Sequence, residues 1–286
     1  MTGTWPRLPG ARRLRLSDHE TSASELRTGG DGPAHLCVLV HSALLDRHLW
    51  SRFATALADR MRACDEPWAL LAYDLRAHGD AADAPMTGGI KQLAADLGEV
   101  VDLVGADARS VHLAGLSLGG AVVQQAAVTE PGRFSTVTAI GTSSRFPADV
   151  MNERARRGLD GVAAQLDDTL ARWFTASTLA EGGPAVDYVR ECVLATSPQR
   201  WAYTWQNLAG FDVADQLPSV QAPVLAVAGS ADTAAPIPAL ATIADRARNG
   251  TLVVIDGAAH LIALDQPAEL AAATGDFLLT ATNPSR

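Results

Sequence analysis

Residues 111–121 read Val-His-Leu-Ala-Gly-Leu-Ser-Leu-Gly-Gly-Ala, and no other stretch restricts the fold as strongly. An apolar run ends on Gly115-Leu116-Ser117-Leu118-Gly119, and a helix-forming run, 118–130, begins with no spacer between them. A strand that feeds straight into a helix must reverse within one or two residues. Glycines on either side permit this, because the missing Cβ lets neighbouring backbone approach closely. Ser117 is then lifted out of the turn at the carboxyl end of its strand. A strand–turn–helix unit of this kind belongs in a sheet layered with helices.

The rest of the chain repeats the alternation. Continuous apolar runs at 36–40, 70–73, 111–114, 137–140, 224–228 and 252–255 predict strands covered on both faces, as in parallel sheets. Helical stretches are predicted at 49–61, 90–105, 118–130, 237–247 and 267–279. Strand followed by helix, several times over, predicts an α/β fold: a mostly parallel central sheet flanked by helices. Residues 12–16 and 22–27 predict an antiparallel hairpin at its edge. The rhythm stops between about 143 and 217, where Trp173, Trp201 and Trp205 fall among Phe174, Tyr188 and Tyr203. We read 12–142 and 218–282 as the core, and 143–217 as a small helical cap inserted over the carboxyl ends of the strands. Open α/β sheets bind their ligands there.

Composition narrows the partners. A formal net charge of −9 argues against nucleic acid and against an anionic membrane surface, both of which call for a basic stripe. Cys37, Cys64 and Cys192 are too scattered for zinc-ligand spacing or a disulfide framework, so no metal is expected. No glycine-rich phosphate loop or dinucleotide fingerprint occurs, and no cofactor is expected. No apolar run approaches the ~18 residues of a membrane span. The residues up to Leu16 lack a signal-like apolar segment. These features predict a cytoplasmic protein acting on a small molecule.

A serine hydroxyl is a weak nucleophile until a base takes its proton. His260, in Gly257-Ala258-Ala259-His260-Leu261 after the last strand, falls at the same sheet edge as Ser117. His112 lies inside a strand, His78 in a turn, His19 and His35 near the hairpin, and His41 and His48 flank the loop after the strand 36–40. The base needs an acid to fix its tautomer. Asp232, in Ala228-Gly229-Ser230-Ala231-Asp232, follows a strand directly; Asp256 is its rival, close to His260 in sequence. The oxyanion formed on attack needs two N–H donors. Leu118 supplies one from the start of the helix. Ala43, in His41-Ser42-Ala43-Leu44-Leu45, is placed to supply the other.

The order Ser117, Asp232, His260 and the elbow identify the chain as similar to the α/β-hydrolase superfamily. Over roughly residues 12 to 280 it resembles the 3-oxoadipate enol-lactonases. The resemblance rests on His41-Ser42-Ala43 through Trp50, Tyr73-Asp74-Leu75-Arg76-Ala77-His78-Gly79-Asp80, the elbow Gly115 to Gly120, Gly141-Thr142-Ser143-Ser144-Arg145-Phe146, Arg172-Trp173-Phe174-Thr175, and Gly229 to Asp232. It implies an α/β-hydrolase fold and a serine hydrolase that cleaves a small lactone or carboxylic ester through an acyl-enzyme. The family's substrate carries a free carboxylate. The resemblance therefore implies Arg145 or Arg172 as its counter-ion, with Trp173 walling the pocket. Two departures stand out: the family's Ser-Leu-Gly-like run is Ser42-Ala43-Leu44 here, and its Arg-Gly-His-Gly is Arg76-Ala77-His78-Gly79. The same scaffold also hosts C–C bond hydrolases, natural-product ester hydrolases and non-catalytic ligand-binding proteins.

Overall fold

A computed structural model of the chain describes residues 4–30, 32–64 and 66–282. Eight strands form one sheet: β1 (Arg12–Arg15), β2 (Glu20–Thr28), β3 (His35–Val40), β4 (Trp68–Tyr73), β5 (Ser110–Leu116), β6 (Thr136–Ile140), β7 (Val224–Gly229) and β8 (Gly250–Ile255). Their order across the sheet is β1-β2-β4-β3-β5-β6-β7-β8. The pairs β1–β2 and β2–β4 are antiparallel and every other pair is parallel. The expected edge hairpin is present. Its second strand runs longer than the sequence pattern suggested, because Ala23 to Thr28 also pair with β4.

Every residue of β4, β6 and β7 is buried, as their unbroken apolar runs require. At the far edge β8 departs from that expectation. Val254 is 42% exposed, because β8 has a neighbour on one side only. Helices α1 (Ser51–Met61), α2 (Gly89–Val104) and α3 (Leu118–Thr129) follow β3, β4 and β5. The apolar face of α1, with Phe53, Leu57 and Met61, keeps the i, i+4 spacing of a helix lying on a sheet. By contrast α3 is buried on nearly all sides, which places the elbow at the centre of the fold.

Between β6 and β7 lie α4 (Ala148–Leu159), α5 (Leu166–Trp173), α6 (Ala176–Glu181), α7 (Pro184–Leu194) and α8 (Pro198–Leu208). Ser197 caps α8 by accepting the Arg200 N–H at 3.2 Å, with Pro198 in the first turn where its missing donor costs nothing. This insertion is tied to the core at several points. The Tyr188 hydroxyl donates to the Asp46 carboxylate at 2.8 Å and that of Tyr203 to the Thr87 carbonyl at 3.1 Å. Trp5 stacks on Tyr188 and donates its indole N–H to the His48 carbonyl at 2.7 Å, strapping the N-terminal segment across the seam. After β7 come α9 (Ile237–Arg246), α10 (Ile262–Asp265) and α11 (Pro267–Thr282). Among the described residues no helix is long and apolar enough to cross a membrane.

Gly119 shows how tightly the elbow is built. A Cβ there would overlap the Val40 carbonyl and come within 2.7 Å of the His41 carbonyl oxygen. Both are backbone, so neither can swing aside. Gly119→Ala is expected to cost about 3 kcal/mol or more, the upper end for overpacking a rigid site. The shift of the urea midpoint measures it.

Candidate active site

Because β3, β5, β6 and β7 run parallel, with β8 beside them, the loops that follow them gather at one edge of the sheet. Ser117 sits there at φ +56°, ψ −111°, a region that a residue with a Cβ occupies only under strain. Three backbone hydrogen bonds hold it: its N–H donates to the Ile140 carbonyl at 2.9 Å, and its carbonyl accepts from the Thr142 hydroxyl at 2.8 Å and the Ala121 N–H at 3.1 Å.

Ser117 Oγ lies 3.0 Å from His260 Nε2, and His260 Nδ1 lies 2.9 Å from Asp232 Oδ2. The Asp232 carboxylate accepts only, so Nδ1 carries the proton and Nε2 is free to accept from the serine hydroxyl. The other carboxylate oxygen of Asp232 accepts the N–H groups of Ala234 at 2.7 Å and Ala235 at 2.9 Å. Burial opposes the Asp232 charge, but His260 and these two amides outweigh it and hold the carboxyl below its ordinary pKa. The rival Asp256 turns elsewhere, accepting the Ser230 hydroxyl at 3.0 Å.

The N–H groups of Ala43 and Leu118 belong to fully buried residues, and among the described residues neither meets an acceptor. Buried amides are nearly always paired, so two without an acceptor, one of them on the residue after Ser117, are free to donate to a group from outside the chain. The direction of Ala43 N–H is set by His41, which the sequence placed only as a flanking histidine. His41 is fully buried, donates Nδ1–H to the Ser42 carbonyl at 2.7 Å and accepts the Leu75 N–H on Nε2 at 2.9 Å. In a planar trans peptide the Ser42 carbonyl and the Ala43 N–H point in opposite directions. Anchoring one aims the other. Burial pushes the His41 pKa down to about 4, which keeps the imidazole neutral in this role.

The two departures from the family pattern coincide with backbone in the left-handed region: Leu44 at φ +63° and Ala77 at φ +65°. Both side chains are buried, so packing holds non-glycine residues in a conformation that glycine adopts freely. Asp74 secures the far end of the same loop, accepting the N–H groups of Arg47 and Asp80 at 2.8 Å each and pairing with the Arg47 guanidinium. Burial raises its pKa to about 6 despite Arg47.

Of the remaining residues singled out by sequence, Trp173 is brought to the site. Its ring lies nearly parallel to the His260 imidazole with centroids 6.2 Å apart, and its carbonyl accepts the Leu261 N–H. Arg145 is not. Its side chain is 60% exposed and its guanidinium is already paired with Asp212 at 2.6 Å, so the expected counter-ion role gives way to a surface ion pair. Arg172 is partly buried, and its Nε has no partner. Asp18, His19 and Asp96 approach one another closely enough to suggest a cation, but the Arg76 guanidinium bridges Asp18 and Asp96 at 2.8 Å each and supplies the positive charge.

The alpha/beta hydrolase family model matches residues 37–273. The chain is 25% identical to 3-oxoadipate enol-lactonase 1 of Acinetobacter baylyi, over 89% of this chain and 92% of the relative. It is 28% identical to a pimeloyl-[acyl-carrier protein] methyl ester esterase of Aliivibrio salmonicida, over 84% of this chain and 90% of that one. Among solved structures, a hydrolase from Pseudomonas aeruginosa superposes with a TM-score of 0.82 at 26% identity, covering 94% of this chain and 98% of the other. The chain belongs to the alpha/beta hydrolase family and is a hydrolase.

Proposed function

We propose that the chain is a serine hydrolase that opens a small lactone or carboxylic ester through an acyl-enzyme on Ser117. The observation that carries this reading is the continuous relay Ser117–His260–Asp232, and the unpaired buried amides of Ala43 and Leu118 support it. In the first half-reaction the Ser117 proton passes to His260 Nε2 while Oγ bonds to the carbonyl carbon. The carbonyl oxygen takes the negative charge and receives the Ala43 and Leu118 N–H groups. When the intermediate collapses, the C–O bond to the leaving group breaks and His260 returns the proton to the departing oxygen. In a lactone that oxygen stays tethered to the acyl chain. A water molecule then attacks the acyl carbon, giving its proton to His260; the Ser117–acyl bond breaks, His260 returns that proton to Ser117 Oγ, and the acid is released with the resting enzyme restored.

Likeness to an enol-lactonase and to a methyl ester esterase supports an oxygen ester as the scissile group. Trp173 would wall the pocket beside His260, and Arg172 would face an anionic part of the substrate. The test is covalent labelling by a fluorophosphonate probe, followed by turnover of a panel of lactones and p-nitrophenyl esters. Labelling is expected in the native protein and absent in Ser117→Ala; an unlabelled native protein would remove Ser117 as nucleophile. Hydrolysis of short aryl esters without carboxylate-bearing lactones would remove the enol-lactonase-like substrate.

A further inference from the structure

The two edges of the sheet are built differently. At one edge β1 carries Arg12, Arg13 and Arg15, all exposed and paired with Glu25 or Glu20. Charged side chains along an edge strand keep other strands away. At the other edge β8 reads Gly-Thr-Leu-Val-Val-Ile, with no charge and no proline, and its register with β7 is unbroken by a bulge. Thr251 and Val254 are exposed, and Leu252 and Val253 are half-buried. An apolar, uninterrupted edge of this kind is a template for a further strand.

Hydrogen bonds to β7 fix which residues of β8 face outward. The Asn249 carbonyl accepts the Val224 N–H at 2.8 Å, and the Ile255 carbonyl accepts the Ser230 N–H at 2.9 Å. Successive residues of a strand turn their polar groups to opposite sides, so Thr251 and Val253 also face β7. Gly250, Leu252 and Val254 are left with N–H and C=O groups at the free edge, and among the described residues these meet no partner. Charges flank the strand at both ends. Arg248 lies two residues before it and Asp256 directly after it, and both are exposed. Among the described residues neither has an ion-pair partner; the Asp256 carboxylate accepts the Ser230 hydroxyl.

We propose that β8 pairs antiparallel with β8 of a second copy of this chain, about a two-fold axis at Leu252, joining two sheets into one. Antiparallel hydrogen-bonded pairs form between residues that both face outward. A two-fold axis perpendicular to the sheet therefore pairs even-numbered residues with even-numbered ones: Leu252 with itself, and Gly250 with Val254. An axis at Thr251 or Val253 keeps that parity, but only the axis at Leu252 sets Arg248 of each copy opposite Asp256 of the other. Two ion pairs then close the ends of a ladder whose middle is apolar. Gly250 suits its place opposite Val254. A Cβ there would overlap the Ala244 carbonyl, so the position stays bare and leaves room for the valine. Because the paired strands run in opposite directions, the carboxyl edges of the two sheets point away from each other, and the pairing stands apart from the hydrolase reading.

Sedimentation velocity over a dilution series tests this. The native chain is expected to reach twice the 29.9 kDa of one copy as concentration rises. Val254→Lys places a charge on an exposed position of the edge and should leave a folded monomer, its fold checked by circular dichroism. Arg248→Glu and Asp256→Lys should each weaken the dimer at least about tenfold, and the double variant should regain most of that loss, because the exchanged charges meet again across the axis. Leu252→Cys gives a second measurement of the register. Only an axis at Leu252 sets that residue against its own copy, so mild oxidation should link two chains through it, and Thr251→Cys should not link. A native chain that stays monomeric throughout would overturn the proposal and leave the edge open to a strand of another protein. A dimer that survives Val254→Lys would overturn it in favour of another face. Single charge variants with no recovery in the double would overturn the register, and with it the pairing proposed.

Discussion

Ser117→Gly is expected to unfold at a higher temperature than Ser117→Ala, while both lose turnover. The two variants lose the same hydroxyl and the same hydrogen bond to His260 Nε2, so they differ only in the Cβ. At φ +56°, ψ −111° that Cβ is strained, and such positions cost about 1–3 kcal/mol when the residue is not glycine. Glycine gives part of this back, because its unfolded chain is freer by about 0.4–1 kcal/mol. The balance favours glycine by roughly 1 kcal/mol, which moves the melting temperature by about 2–4 °C in a chain of this size. Removing a triad nucleophile lowers kcat by roughly 10⁴–10⁶, the residue of catalysis coming from binding and the oxyanion donors. Melting curves and ester hydrolysis on the two variants measure both effects. Equal melting temperatures would mean that the elbow carries no strain.

The legible parts of this molecule were those whose role is set by neighbours in sequence. Residues 111–121 declared strand, turn and helix together, and that local certainty located Ser117. Asp232 and His260 were readable because each follows an apolar run, and parallel strands bring all their carboxyl ends to one edge. The exposure of Val254 was not readable, since an apolar run carries no mark of whether its strand is central or at an edge. Arg145 and Arg172 looked alike as charges near the inserted helices. What separates them is Asp212, which lies far along the chain and pairs with Arg145. Leu44 and Ala77 show the opposite limit. Local preference speaks against positive φ at both, and burial of their side chains overrides it.

His41→Ala should lower kcat about 100-fold with a much smaller change in KM, although His41 is a positioning residue that touches no reacting atom. Without the Nδ1–H the Ser42 carbonyl loses its anchor, and the Ala43 amide on the same peptide plane is free to turn from the oxyanion. Loss of one such donor costs about 2.7–4 kcal/mol in the transition state and little in the ground state. Affinity for a boronic acid, which mimics the tetrahedral intermediate, should fall in step with kcat, and affinity for an unreactive substrate analogue should not. His41→Asn keeps an N–H donor near Nδ1 and should recover much of the loss. A purely structural role would lower both affinities together and would not be rescued in kcat alone. Acid offers an independent check. Burial depresses the His41 pKa from 6.5 to about 4, so between those values the unfolded chain binds the proton and the folded chain does not. Stability therefore falls as pH drops from about 6.5 towards 4. His78 and His112, both lowered to about 3 by burial, add to the same slope. Replacing His41 with asparagine removes one of these three contributions, so the variant should lose less stability over that pH range than the native protein. An unchanged slope would mean that His41 is already protonated in the folded state, and the donor–acceptor pattern that aims Ala43 would have to be abandoned.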